Sequence, residues 1–156
     1  MTTINTPAYA LSEITKVYLT DWSSSVVYNY SGNTRISEYT NLPGGWYEIV
    51  LNTATCDYTQ TLTKGSNGLT YTEIITITLP HEDNAKWREL TSVLQNRYIV
   101  VFGDANGNWW TIGYRNGVKV DSYELSNNEY IISLTSQFSN NLLTSIDYNY
   151  VLSNIV

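Results

Sequence analysis

The chain has 156 residues and a mass of 17.7 kDa, the length of a single domain. Only 14% of the residues are charged, and 14 acidic against 8 basic side chains leave a net charge of −6. That balance argues against a grip on nucleic acid, which needs Lys and Arg to neutralise phosphates, and against docking on an anionic membrane.

Disorder is not expected, because 42% of the residues are hydrophobic, 14 Tyr and 5 Trp among them. The lone Cys56 permits no intrachain disulfide and no Cys-based zinc site. No apolar run is long enough for a transmembrane helix, and Met1-Thr2-Thr3-Ile4-Asn5 lacks the regions of a signal peptide. The expectation is a soluble protein made in a cytoplasm. Twenty Thr, 15 Ser and 17 Asn supply neutral hydrogen-bonding groups where other chains carry charge. Thr, Tyr, Trp, Val and Ile suit a pleated, half-buried surface, while Asn and Gly suit turns. The composition predicts a β-rich fold.

In chain order, residues 14–20 and 26–30 read as short strands, followed by the turn Ser31-Gly32-Asn33 and a hairpin return over 35–39. Asn41-Leu42-Pro43-Gly44-Gly45 breaks the pattern before a strand at 46–51. Residues 55–63 and 69–79 form the arms of a long hairpin around Lys64-Gly65-Ser66-Asn67-Gly68, with Ile75, Ile77 and Leu79 on one face and Thr76 and Thr78 on the other. A helix is predicted over 84–96 from its N-cap candidate Asp83 and the stripe Trp87, Leu90, Val93, Leu94. The unbroken run Tyr98-Ile99-Val100-Val101-Phe102 predicts a strand covered on both faces, by a sheet and that helix. The turn Asp104-Ala105-Asn106-Gly107-Asn108 follows. Strands at 109–114, 118–125 and 130–138, with turns at Arg115-Asn116-Gly117 and 126–129, then complete a meander. Residues 145–156 read as a last strand or a docking tail. The whole is one domain, 1–156: N-terminal strands or arm at 1–45, core at 46–138, and a C-terminal strand or tail at 139–156. The fold class is all-β, a sandwich or barrel with one flanking α-helix.

No constellation for catalysis emerges. His81, the single histidine, sits in Pro80-His81-Glu82-Asp83 at the start of the expected helix and reads as a polar loop residue. No Gly-x-Ser-x-Gly elbow, phosphate-binding loop or dinucleotide fingerprint is present. Cys56 lies beside Asp57, whose charge raises rather than lowers a thiol pKa, so it reads as a packing residue. Asp104, Asn106 and Asn108 match the first ligands of a calcium loop, but Trp109 stands where Gly is required and Arg115 where the bidentate Glu belongs. No catalytic residue, metal or cofactor is therefore expected. Trp109 and Trp110 could offer an aromatic surface to a sugar, although strand neighbours point to opposite faces and only one can line a given platform.

Between residues 46 and 138 the layout resembles small neck and tail structural proteins of tailed bacteriophages of Bacteroidetes, including crAss-like phages. The resemblance rests on Tyr71-Thr72-Glu73 leading to Leu79-Pro80 and the helix, then Arg97-Tyr98-Ile99-Val100-Val101, the Asp104–Asn108 turn, Trp110-Thr111-Ile112-Gly113 and the strand at Tyr130. It implies a tail-tube-like fold and a non-enzymatic, ring-forming virion component of the tail or portal–tail neck, assembled in the host bacterial cytoplasm. Its partners would be further copies of itself and other virion proteins. DNA would at most pass through its channel, and no membrane would be involved. On this reading the long hairpin is the subunit interface, with Tyr58, Gln60, Lys64, Asn67, Tyr71 and Glu73 as its contact residues. The alternative is a carbohydrate-binding, lectin-like β-sandwich using Trp109 and Trp110.

Overall fold

A computed structural model of the chain describes residues 13–32, 35–51, 54–80, 96–138 and 143–156. Eleven strands run through them: β1 (Ile14–Asp21), β2 (Val27–Ser31), β3 (Arg35–Thr40), β4 (Trp46–Ile49), β5 (Thr55–Gly65), β6 (Gly68–Pro80), β7 (Arg97–Asp104), β8 (Trp109–Ile112), β9 (Val118–Ser126), β10 (Glu129–Phe138) and β11 (Thr144–Ile146). A helix, α1 (Tyr148–Asn154), follows β11. The fold is all-β, as the composition predicts. The helix expected over 84–96 lies outside the described residues.

The strands form one mixed ladder in the order β2-β3-β11-β8-β7-β9-β10-β6-β5, with β4 attached through β1 to β7. Strand β7 is the fork. One edge pairs with β1 along almost its whole length, from Ile14↔Asp104 to Asp21↔Tyr98. The other edge is shared: β8 takes Val100 to Gly103, and β9 takes Arg97 and Tyr98. The expected meander is corrected here. β8 and β9 do not pair with each other but lie end to end along β7, joined by the turn at 113–117. Gly113 and Gly117 make this possible, with φ of +81° and +75°. A Cβ on Gly113 would sit 2.7 Å from the Tyr98 carbonyl oxygen, so only glycine lets the turn close against β7.

Because the ladder turns back on itself, the even residues of β7 meet a second layer. Tyr98, Val100 and Phe102 pack with Val17 and Leu19 of β1 against Cys56 of β5, Ile75 and Ile77 of β6, and Ile132 and Leu134 of β10. Burying such side chains contributes about 1.5–3 kcal/mol each. The odd residues Ile99 and Val101 enter a second cluster with Ile36, Tyr39, Tyr114, Ile146 and Val151. The double-sided burial read from the run 98–102 is thus correct. Within the described residues, the second face is covered by β3, β11 and the C-terminal helix.

Of the last strand or docking tail expected at 145–156, the strand is the short β11, and the residues after it form this helix instead. Its N-cap is Asp147, whose Oδ1 accepts hydrogen bonds from the backbone N–H of Asn149 and Tyr150 at 2.8 and 3.2 Å. Val151 is its buried anchor. No helix among the described residues is long and apolar enough to cross a membrane.

Candidate functional site

The β5–β6 hairpin is the longest ribbon in the structure, with arms of 11 and 13 residues closed at Gly65↔Gly68. Strand pairing on both sides of β6 sorts its inner face into cross-strand rows. Cys56, Ile77 and Ile132 form one row, and Tyr58, Ile75 and Leu134 the next. Both rows belong to the core. The third row is polar: Gln60, Glu73 and Ser136. Beyond it the apolar pattern resumes with Leu62 paired to Tyr71, which in turn pairs with Phe138, and then Lys64 paired to Leu69. Leu62 and Leu69 are 50% and 46% exposed. β5 ends the ladder, so its outer edge has no strand neighbour among the described residues.

The sequence-predicted contact residues therefore fall into two groups. Glu73 is fully buried within the chain itself, and Tyr58 is half-buried over Phe102 at a ring separation of 5.6 Å. The Tyr58 hydroxyl donates to Glu73 Oε2 at 2.6 Å, while Oε1 is buried without a partner. Burial raises the Glu73 carboxyl above the ordinary carboxylate range, and the Tyr58 hydrogen bond only partly opposes it. Gln60, Lys64 and Asn67 are exposed, and Tyr71 is half-buried. β10 runs beside β6 as far as Tyr71, so only the segment from Thr63 to Thr70 extends past three-stranded pairing.

Trp109 and Trp110 are both half-buried, on opposite faces. Trp109 packs on the cluster around Ile99 and Val101 and lies 6.1 Å from the Tyr18 ring. Trp110 packs on the inter-sheet core and donates its Nε1–H to Asp104 Oδ2 at 3.3 Å. Both border a small cleft of about 130 Å³ beside Arg35 and Tyr148, but they present no shared platform.

The Asp104 loop is a hairpin turn. Asp104 Oδ1 accepts from the backbone N–H of Asn106 and Asn108 at 3.0 and 2.9 Å. Burial acts to raise the Asp104 pKa, but the hydrogen bonds from Asn108, Trp110 and Asn106 outweigh it and hold the carboxyl below its ordinary value. Cys56 is a buried core residue whose thiol is pushed up to about 12, first by burial and then by Asp57. His81 lies outside the described residues.

One cluster is not read from the sequence at all. The rings of Tyr28 and Tyr114 meet edge-on at 4.9 Å, and Tyr30 approaches both. The Tyr114 hydroxyl shares a 3.0 Å hydrogen bond with Thr144 Oγ1, and Arg115 lies over the Tyr114 ring at 5.9 Å. Tyr28 and Tyr30 share a face through the ordinary alternation of β2, since the extra residue of the β2–β3 bulge is Ser37 of β3, and only the tertiary fold brings Tyr114 to them. Compared with known proteins, the chain matches no family model, no curated protein and no solved structure.

Proposed function

We propose that this chain is a non-enzymatic structural subunit of a bacteriophage virion, a ring-forming component of the tail or portal–tail neck that assembles with copies of itself. The observation that carries the reading is the row Leu62–Tyr71 on the inner face of the β5–β6 ribbon. It continues the core face past the polar row of Gln60, Glu73 and Ser136, yet leaves Leu62 half exposed beside an eleven-residue edge that has no strand neighbour among the described residues. Apolar, neutral-polar and aromatic surface of this kind suits an interface that must exclude water without pairing many charges. A free edge of that length is otherwise an aggregation liability. Seating the ribbon on a second copy by head-to-tail contacts removes the liability and closes a ring. A net charge of −6 repeated around such a ring favours a channel through which DNA slides without being held.

Electron microscopy of the purified protein tests the reading. Rings or short tubes of uniform diameter are expected. A chain that stays monomeric and featureless over the whole accessible concentration range contradicts it.

A further inference from the structure

Across the outer face of the fork, strand register lines up Arg97 of β7, Lys119 of β9 and Thr135 of β10 in a single row. Like charges directly opposite one another on adjacent strands repel, and a chain with only 8 basic residues has placed two of them there. Arg97 is oriented rather than neutralised. One guanidinium N–H donates to the Asn116 carbonyl at 3.2 Å, and the group lies 5.9 Å from the Trp22 ring centroid. Among the described residues no carboxylate forms an ion pair with Arg97 or Lys119.

The row borders an open cleft of about 380 Å³ that Asn116, Asp121 and Ser136 also line. Thr135 contributes a buried Oγ1 with no hydrogen-bond partner. Buried hydroxyls are rarely left unpaired, and this one shares its cleft with two cations that form no ion pair among the described residues. Of the polar row at the root of the ribbon, the cleft shares Ser136.

We infer that this cleft is a binding site for a carboxylate monoanion carried on a group about the size of a monosaccharide. A carboxylate offers two acceptor oxygens to the remaining Arg97 donors, to the Lys119 ammonium and to the Thr135 hydroxyl. Asp121 also lines the cleft, so its described lining carries a net single positive charge, which suits a monoanion better than a phosphate dianion. The volume lies at the small end of ligand pockets and exceeds what a carboxylate alone would fill. The carboxylate could belong to a free sugar acid or to an acidic side chain of a second copy, since the chemistry recognised is the same.

The test is a titration of the full chain with glucuronate at low ionic strength, followed by backbone amide NMR. Saturable shifts are expected at Arg97, Asn116, Gly117, Lys119 and Thr135, with uncharged glucose leaving those signals in place. Lys119→Gln and Thr135→Val should each weaken the apparent affinity, the former by about tenfold or more, as loss of a charged partner does. Lys119 is exposed, so its replacement leaves the fold intact, which the unperturbed remainder of the spectrum verifies. Sedimentation in the same buffer separates the sources. An oligomer that glucuronate dissociates places a second copy's side chain in the cleft, and unchanged sedimentation leaves a free acid as its ligand. No saturable shift, an equal response to glucose, or an apparent affinity unchanged by Lys119→Gln would overturn the inference.

Discussion

The Tyr58 hydroxyl donates a 2.6 Å hydrogen bond to one oxygen of Glu73, and the other oxygen is buried with no partner. This pair stands where the packed core ends and the apolar face of the ribbon begins, between the Ile75 row and the Tyr71 row. Register places Gln60 and Ser136 on either side of Glu73, and neither carries a positive charge. A buried carboxylate without a cation is costly to ionise, so this row makes the root of the ribbon sensitive to pH.

The sign follows from the raised pKa of Glu73. A group that titrates higher in the folded state contributes its full stability below its unfolded value and loses it as pH rises through the folded value. Glu73→Gln keeps an acceptor for Tyr58 and removes the charge. Thermal melts of the variant should therefore match wild type in acid and exceed it increasingly from pH 5 upward, by roughly 1–3 kcal/mol where wild-type Glu73 is ionised. Parallel pH profiles for the two proteins would show that Glu73 does not titrate in this range.

Asp104 should behave oppositely. Its hydrogen bonds hold its pKa below the ordinary value, so its contribution is present above that value and lost as pH falls through the folded one. Asp104→Ala frees the N–H groups of Asn106, Asn108 and Trp110 and should cost about 1.5–3 kcal/mol near neutrality, on the scale of hydrogen bonds to a charged group. Urea titrations at pH 7 and pH 3 check this, the difference between wild type and variant shrinking at the lower pH.

The end-to-end placement of β8 and β9 depends on Gly113. Gly113→Ala combines a left-handed φ of +81° with a Cβ 2.7 Å from the Tyr98 carbonyl and should cost roughly 2–4 kcal/mol. Gly107 has a similar φ of +83° but open space around it, so Gly107→Ala should cost only about 1–2 kcal/mol. Denaturation midpoints of the two variants separate backbone strain from the clash.

Much of this architecture was legible in the residues. The run 98–102 announced a strand buried on both faces. The alternation through Ile75, Ile77 and Leu79 located the inner face of β6. The same parity places Glu73 and Tyr71 on that face, a signal available to anyone willing to seat a glutamate in a core. The fork at β7 was not legible, because Arg115-Asn116-Gly117 has the composition of a hairpin turn and only the tertiary approach of Tyr98 decides otherwise. Helix α1 was hidden by Tyr148, Tyr150 and Val151, which favour strands locally. Its capping aspartate and the packing of Val151 override that preference. The row of Arg97, Lys119 and Thr135 joins three strands distant in sequence, and register alone assembles it.

Assembly through the β5–β6 ribbon is the central claim, and shortening that ribbon tests it most directly. Replacing residues 62–71 with Asn-Gly joins the register partners Thr61 and Thr72 through a turn suited to hairpins. Four residues leave each arm, an even number, so every remaining side chain keeps its face. Sedimentation velocity should find the wild-type chain as a discrete oligomer and the shortened chain as a folded monomer with an unchanged β-sheet circular dichroism spectrum. A shortened chain that still sediments as the wild-type oligomer would contradict the account.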